Sequence, residues 1–155
     1  MTPVVFAVEK LVPAFDEIEA LIVEHYREIA LFKDKVPLVP KWDTYRQIEE
    51  AGKIHFCTAR DEESGGLIGY YISIVDTHLH YGETLHAMLD IYFIKPEYRR
   101  GTTGIRLFQF MEENMKKLGV QVIYTGVKLS NDISAVWERL GYQPVETKHA
   151  KYIGA

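Results

Sequence analysis

Between Ile91 and Met115 the chain reads IYFIKPEYRRGTTGIRLFQFMEENM. An apolar strand-like run ends at Ile94, Pro96 stops it, and an amphipathic helix opens near Gly104. This join constrains the fold most. A helix with Leu107, Phe108, Met111, Met115 and Leu118 on one side must lie back on a sheet to bury them. The turn has the makings of an anion site. Helix N-termini present free N–H groups and a positive dipole end. Gly101 and Gly104 let a ligand come close to the backbone, and Arg99 and Arg100 add charge. The turn is neither G-x-x-x-x-G-K-[ST] nor G-x-G-x-x-G, so a nucleotide P-loop and a dinucleotide fingerprint are both excluded.

The rest of the chain supplies a sheet for that helix. PVVFAVEK reads as a first strand, and a helix from Pro13 carries Ile18, Leu21, Ile22 and Ile29 on one side. KDKVPLVPKW is a loop, and DTYRQIEEAGK a second helix with Asp43 as N-cap and Gly52 as stop. KIHFCTAR, LIGYYISIVD and LHAMLDIYFI are strands joined by turns. Gly119 ends the long helix, VQVIYTGV is a largely apolar and hence buried strand, and NDISAVWERLG a last helix begun near Ser130 or Asn131. YQPVETKHAKYI completes the order with strand-like pieces. Hairpins followed by crossovers predict one α/β domain over residues 1–155 with a mixed sheet.

Composition narrows the partners. A net charge of -4 argues against a nucleic-acid backbone, which needs clustered Lys and Arg, and suits a cationic acceptor. Cys57 is the only cysteine, so no internal disulfide can form, and a reducing, cytoplasmic setting is expected. The start MTPVVFAVEK is too short and charged to read as a signal peptide, and no apolar run reaches membrane-spanning length.

IKPEYRRGTTGIRLF resembles motif A of the GNAT superfamily of acyl-CoA-dependent N-acetyltransferases: a hydrophobic strand, V-x-P-x-[YF], then [QR]-x-x-G-x-[GA] opening a helix. Ile94, Pro96 and Tyr98 match the lead-in, Arg99 the first position and Gly104 the last; Thr102 replaces the middle glycine, with Gly101 just before it. NDISAVWERLGY is similar to the family's N-x-x-A-x-x-[LF]-[YF]-E-K-x-G-F, with Asn131, Glu138, Gly141 and Tyr142 aligned. The resemblance covers nearly the whole chain. It implies a mixed, mostly antiparallel sheet of about six or seven strands, splayed after the fourth, with about four helices. More loosely, HLHY followed by LHAMLDIYFIKPEYRRG is similar to small acetyltransferases encoded by tailed phages.

The resemblance implies acetyl-CoA as cofactor. The turn Arg99, Arg100, Gly101, Thr102, Thr103, Gly104 and Ile105 would hold its diphosphate, Tyr92, Phe93 and Ile94 would line its pantetheine arm with open backbone, and Asn131 would touch the arm. The reaction implied is direct attack of a primary amine on the thioester. Such an amine must first lose a proton, so a base is needed. Period-two alternation puts Met88, Asp90 and Tyr92 on one face, and Asp90 is the carboxylate there. A solvent-facing strand charge is the alternative.

His86 and His80 are rival candidates for base and pocket. With His78 they could bind zinc, but the usual ligand spacings are absent and no metal is expected. His25 either borders the acceptor or is a core histidine. Trp42 and Tyr45 either wall the acceptor pocket or pack a loop. Trp137 stands where the family commonly has a tyrosine that protonates the departing thiolate, and indole cannot do that. Tyr142, Tyr124 or Tyr92 could donate instead, or the moderately basic thiolate could leave unassisted. A small-molecule or peptide amine acceptor and a homodimer are family expectations. A non-catalytic acyl-CoA-binding or interaction module on the same fold is the second reading.

Overall fold

A computed structural model describes residues 3–154; Met1, Thr2 and Ala155 of the expected domain lie outside the described residues. The strands are β1 (Val4–Val8), β2 (Ile54–Asp61), β3 (Leu67–Thr77), β4 (Leu85–Ile94) and β5 (Val122–Tyr124). The helices are α1 (Phe15–Ile29), α2 (Trp42–Glu50), α3 (Thr103–Lys117) and α4 (Ser134–Arg139). The sheet order is β1-β2-β3-β4-β5. Neighbours are antiparallel except β4 and β5, which the α3 crossover makes parallel.

Five strands replace the six or seven expected. Residues 143–154 carry no regular structure despite their strand-like composition, and β5 is three residues long with Val122 exposed rather than buried. Composition favours a strand there, but strand propensity depends on context and the segment pairs with no described strand. The start of α2 also differs, since Lys41 is its N-cap and Asp43 lies in its first turn.

Helices cover both faces of the sheet. Leu107, Phe108, Met111 and Met115 of α3 meet Cys57, Ala59, Tyr71 and Ala87 on one face. Burying such side chains contributes about 1.5–3 kcal/mol each, so this contact anchors α3. On the other face Ile18 and Leu21 of α1 meet Phe56, Tyr70, Ile72 and Phe93, with Trp42 and Tyr45 of α2 packed alongside.

The irregularity that matters lies in β4. Ile72 pairs with Ile91 but Ser73 pairs with Leu89, so Asp90 is an extra residue without a partner on β3. Such a bulge puts two successive residues on one face and increases the local twist. Leu89 and Tyr92 accordingly pack on the α3 side, while Ile91 and Phe93 pack on the α1–α2 side. β5 pairs with β4 only at His86, Ala87 and Met88. Beyond Met88 that edge of β4 has no strand partner among the described residues.

His25 shows how α1 is seated. It is 6% exposed, its ring stacks on Phe93 at 4.9 Å, and its Nδ1 shares a hydrogen bond of 3.1 Å with the Tyr70 hydroxyl. Burial lowers its pKa from 6.5 to about 4, against the pull of Glu28. The folded protein therefore takes up this proton later than the unfolded chain does. Stability from this group is complete above pH 6.5 and is lost as pH falls towards 4. Urea unfolding at pH 7 and pH 5 should show a loss of about 2 kcal/mol from His25. In His25→Leu the pH dependence should shrink by that amount; an unchanged dependence would contradict the assignment.

Candidate functional site

The end of β4 and the start of α3 form one site. Ile94 leads through Lys95 into a turn of 3-10 helix at Pro96–Tyr98, and α3 begins at Thr103. Gly101 has φ +78°, a left-handed conformation that favours glycine. Thr102 has φ -107°, which any residue adopts, and is exposed. The chain thus reverses at Gly101, one residue before the position where the motif has its glycine, and Thr102 needs no special freedom. No side chain caps α3, and its first backbone hydrogen bond runs from the Arg106 N–H to the Thr102 carbonyl at 2.9 Å. The amides of Thr103, Gly104 and Ile105 are left for a ligand. A Cβ on Gly104 would sit 3.7 Å from Ile94 Cδ1, so the turn lies directly against the end of β4.

The open edge of β4 has a definite polarity. The Lys95 N–H donates to the Ile68 carbonyl on β3. By strand alternation Phe93 also turns its amide and carbonyl to β3, whereas Tyr92 and Ile94 turn theirs towards the gap beside β5. Phe93 is thereby removed as a source of outward N–H groups. Arg99 Nε caps the Ile94 carbonyl at 2.7 Å, and its guanidinium lies 5.3 Å from the centre of the Phe93 ring. Both of its terminal nitrogens bind the Glu28 carboxylate at 2.6 Å. Asn131 reaches the same carboxylate at 3.4 Å. Asp132, rather than Asn131 or Ser130, receives the first N–H of α4, from Ser134 at 2.9 Å. Arg100 is exposed.

The bulge corrects the expected face. Met88 and Asp90 point to the α1–α2 side but Tyr92 points to the α3 side. Asp90 is half-buried and accepts a hydrogen bond from the Tyr45 hydroxyl. Burial raises the Asp90 pKa and the Tyr45 bond opposes that rise. Burial, with Asp90 adding to it, pushes the Tyr45 phenol well above its usual value. Trp42 packs on Phe15 at 4.7 Å and borders Tyr45 at 5.9 Å, so α2 covers the bulge with aromatic rings. His25 lies in the core rather than on an acceptor surface.

His86 is 3% exposed; its Nδ1 is 2.8 Å from the Thr84 carbonyl and its ring stacks on Tyr124 at 5.7 Å. His78 stands 5.1 Å from His86 and 5.2 Å from the exposed His80, ring to ring. The histidines therefore gather at the hairpin end of β4, two strand pairs below Asp90 on the same face. Among the described residues no three His, Cys, Asp or Glu side chains gather as metal ligands.

The tyrosines part company on the α3 side. The Tyr142 hydroxyl donates to Glu112 at 3.1 Å, beside a shallow pocket of about 260 Å³ lined by Met115, Lys116 and Ile123 at the far end of α3 from the turn. The Tyr92 hydroxyl crosses the gap to the Gly126 carbonyl at 2.8 Å. Trp137 is 4% exposed, stacks on Phe108 at 4.1 Å and stands edge-on to Tyr92 at 5.9 Å. Its Nε1 is buried without a hydrogen-bond partner. Burial raises the pKa of the Tyr92 phenol beside it. Sequence reasoning missed Glu28, which no local pattern could mark, since its partners lie 71 and 103 residues away.

Residues 16–142 match the model of the acetyltransferase (GNAT) family, and the chain belongs to that family. Its transferase class follows from that membership. Solved structures share the fold. Glucosamine-6-phosphate N-acetyltransferase from Arabidopsis thaliana is 14% identical, with 97% of this chain and 99% of that one covered and a TM-score of 0.69. Ribosomal-protein-alanine N-acetyltransferase from Brucella melitensis biovar Abortus 2308 is 13% identical, with 98% and 100% covered and a TM-score of 0.70. An aminoglycoside acetyltransferase from an uncultured soil metagenomic sample, in complex with sisomicin, is 12% identical, with 99% and 95% covered and a TM-score of 0.68. At such identities the likeness shows the fold alone. No curated protein matches the chain in sequence.

The turn geometry makes a distinction between neighbours. Gly101→Ala should cost about 1 kcal/mol through its left-handed backbone, whereas Thr102→Ala should stay within about 0.5 kcal/mol of wild type. Thermal unfolding of both variants measures this, and equal effects would contradict the placing of the chain reversal at Gly101.

Proposed function

We propose that the protein moves an acetyl group from acetyl-CoA to a primary amine by direct transfer. The observation that carries this reading is the open edge of β4 beyond Met88, which runs straight into the uncapped start of α3. A chain of amides and carbonyls there can accept an extended pantetheine arm as an added strand. The free amides of Thr103, Gly104 and Ile105 suit its diphosphate, and Gly101 keeps the approach open. Bound there, acetyl-CoA supplies an activated acetyl thioester.

The chain's own residues divide the proton work between the two faces of the sheet. On the α1–α2 side Asp90 takes the proton from the acceptor amine, directly or through water. Its raised pKa makes it a better base than a free carboxylate. Tyr45 holds it in place. One of the outward N–H groups, that of Tyr92 or that of Ile94, hydrogen-bonds the carbonyl oxygen as charge gathers on it. The amine nitrogen forms the new bond to carbon as the carbon–sulfur bond breaks. On the α3 side the Tyr92 phenol is the proton donor for the departing sulfur, in place of the tyrosine that Trp137 displaces. Tyr92 lies on the open stretch of β4 itself, whereas Tyr142 lies at the far end of α3 from the turn and Tyr124 among the histidines. The exposed His80 then borders the acceptor side, while the buried His86 packs beneath it. Structures of this fold bear names for acetylating a phosphorylated amino sugar, a protein alanine and aminoglycosides, so the acceptor class is small-molecule or peptide amines.

Calorimetric titration with acetyl-CoA, followed by thiol release over a panel of polyamines, aminoglycosides and peptide amines, tests the proposal. Saturable binding with release on at least one amine is expected. Binding without release on any amine would favour the non-catalytic module, and no binding would retire both. Gly104→Glu should abolish binding by placing a bulky anion at the diphosphate position while the fold survives; unchanged affinity would show that the turn is not the cradle.

Asp90→Asn should lower turnover about 100-fold with little change in cofactor affinity. Tyr45→Phe removes a bond that favours the ionised carboxylate, so the acid limb of the rate profile should move to higher pH. A limb that stays in place, or moves to lower pH, would remove Asp90 as the base.

A further inference from the structure

Glu28, in the last turn of α1, holds the two side chains that motif matching offers to the cofactor. Arg99 gives it both terminal nitrogens at 2.6 Å and Asn131 gives it an amide at 3.4 Å. The third guanidinium nitrogen caps the Ile94 carbonyl at 2.7 Å, one of the two outward-facing positions on the open edge of β4. Arg99 therefore spends every nitrogen on the protein itself, and does so across the path of the pantetheine arm. A carboxylate and a phosphate present the same pair of acceptor oxygens to a guanidinium fork. Glu28 also sets a negative charge against Arg99, at the start of the turn that must receive a negative diphosphate. Arg99 is the main reason that carboxyl lies below the ordinary carboxylate range, with a smaller pull from His25.

We propose that Glu28 is an internal competitor for the cofactor, a latch that occupies Arg99 and Asn131 and covers the Ile94 carbonyl until phosphate oxygens displace it. The proposal rests on the acetyl-CoA reading of this same site and adds its regulation. Glu28 lies at the end of the helix that leads into the loop 30–41 before α2, the helix that covers Asp90. Releasing the latch frees α1 from Arg99 on the side where the acceptor arrives. Loading of the cofactor is thereby coupled to the acceptor side through one carboxylate.

The pair is partly exposed, with side chains 34% and 26% accessible, so the expected effect is moderate. Calorimetric titration with acetyl-CoA should show Glu28→Gln binding about threefold to tenfold tighter than wild type. The gain must run through Arg99. In the Arg99→Ala background the Glu28→Gln change should bring no gain. Glu28→Asp, which keeps the charge but is too short to span the fork, should fall between wild type and Glu28→Gln. Circular dichroism and thermal unfolding check that each variant is folded. Unchanged or weaker binding in Glu28→Gln would overturn the latch, as would a gain that survives in the Arg99→Ala background, since that would be bulk charge alone. Binding seen only in Glu28→Gln would be the latch at full strength. Binding absent from both wild type and Glu28→Gln would retire the acetyl-CoA reading itself.

Discussion

One extra residue in β4 organises the molecule. Asp90 has no partner on β3, and its insertion turns the second half of β4 away from β5. Three consequences follow from that single register shift. The backbone of Tyr92 and Ile94 is left open along one edge. Asp90 itself is pushed under α2, where Tyr45 meets it. Tyr92 is turned to the opposite face, where its hydroxyl bridges the gap at Gly126. A regular strand would pair along its whole length and place Asp90 and Tyr92 side by side. The bulge separates them by the thickness of the sheet, which suits a reaction that removes a proton from one partner and returns one to the other.

The helices hold this arrangement in place from both sides. α3 is fixed by the burial of Leu107, Phe108, Met111 and Met115, so its uncapped first turn cannot drift from the end of β4. α1 is fixed through Ile18, Leu21 and His25, and its last turn carries Glu28 to Arg99. The anion site, the open strand and the buried carboxylate are thus parts of one packed frame. In the described residues no helix is long and apolar enough to cross a membrane.

Much of this was legible in the residues. The order of strands and helices up to α4 follows from periodicity, the turn at Gly101 and Gly104 from motif spacing, and the α2 rings near the acceptor side only from the family resemblance. The bulge did not, because alternation assumes a regular strand and DIYF carries no local mark of an insertion. That is why Asp90 and Tyr92 were expected on one face. The C-terminal strands failed for another reason: VETKHAKYI has the composition of a strand, but composition alone does not pair it with the sheet. Glu28 was invisible because an ion pair across 71 residues leaves no pattern in the chain. His25 was left between two roles, and its 6% exposure decides for packing.

Amide hydrogen exchange with and without acetyl-CoA tests the central claim most directly, because it reads the backbone groups that the account assigns to the ligand. Protection should rise at Tyr92 and Ile94 on β4 and at Thr103, Gly104 and Ile105 on α3, with little change at Phe93, whose amide already serves β3. Protection confined instead to the pocket of Glu112, Lys116 and Tyr142, or absent from both β4 and α3, would contradict it.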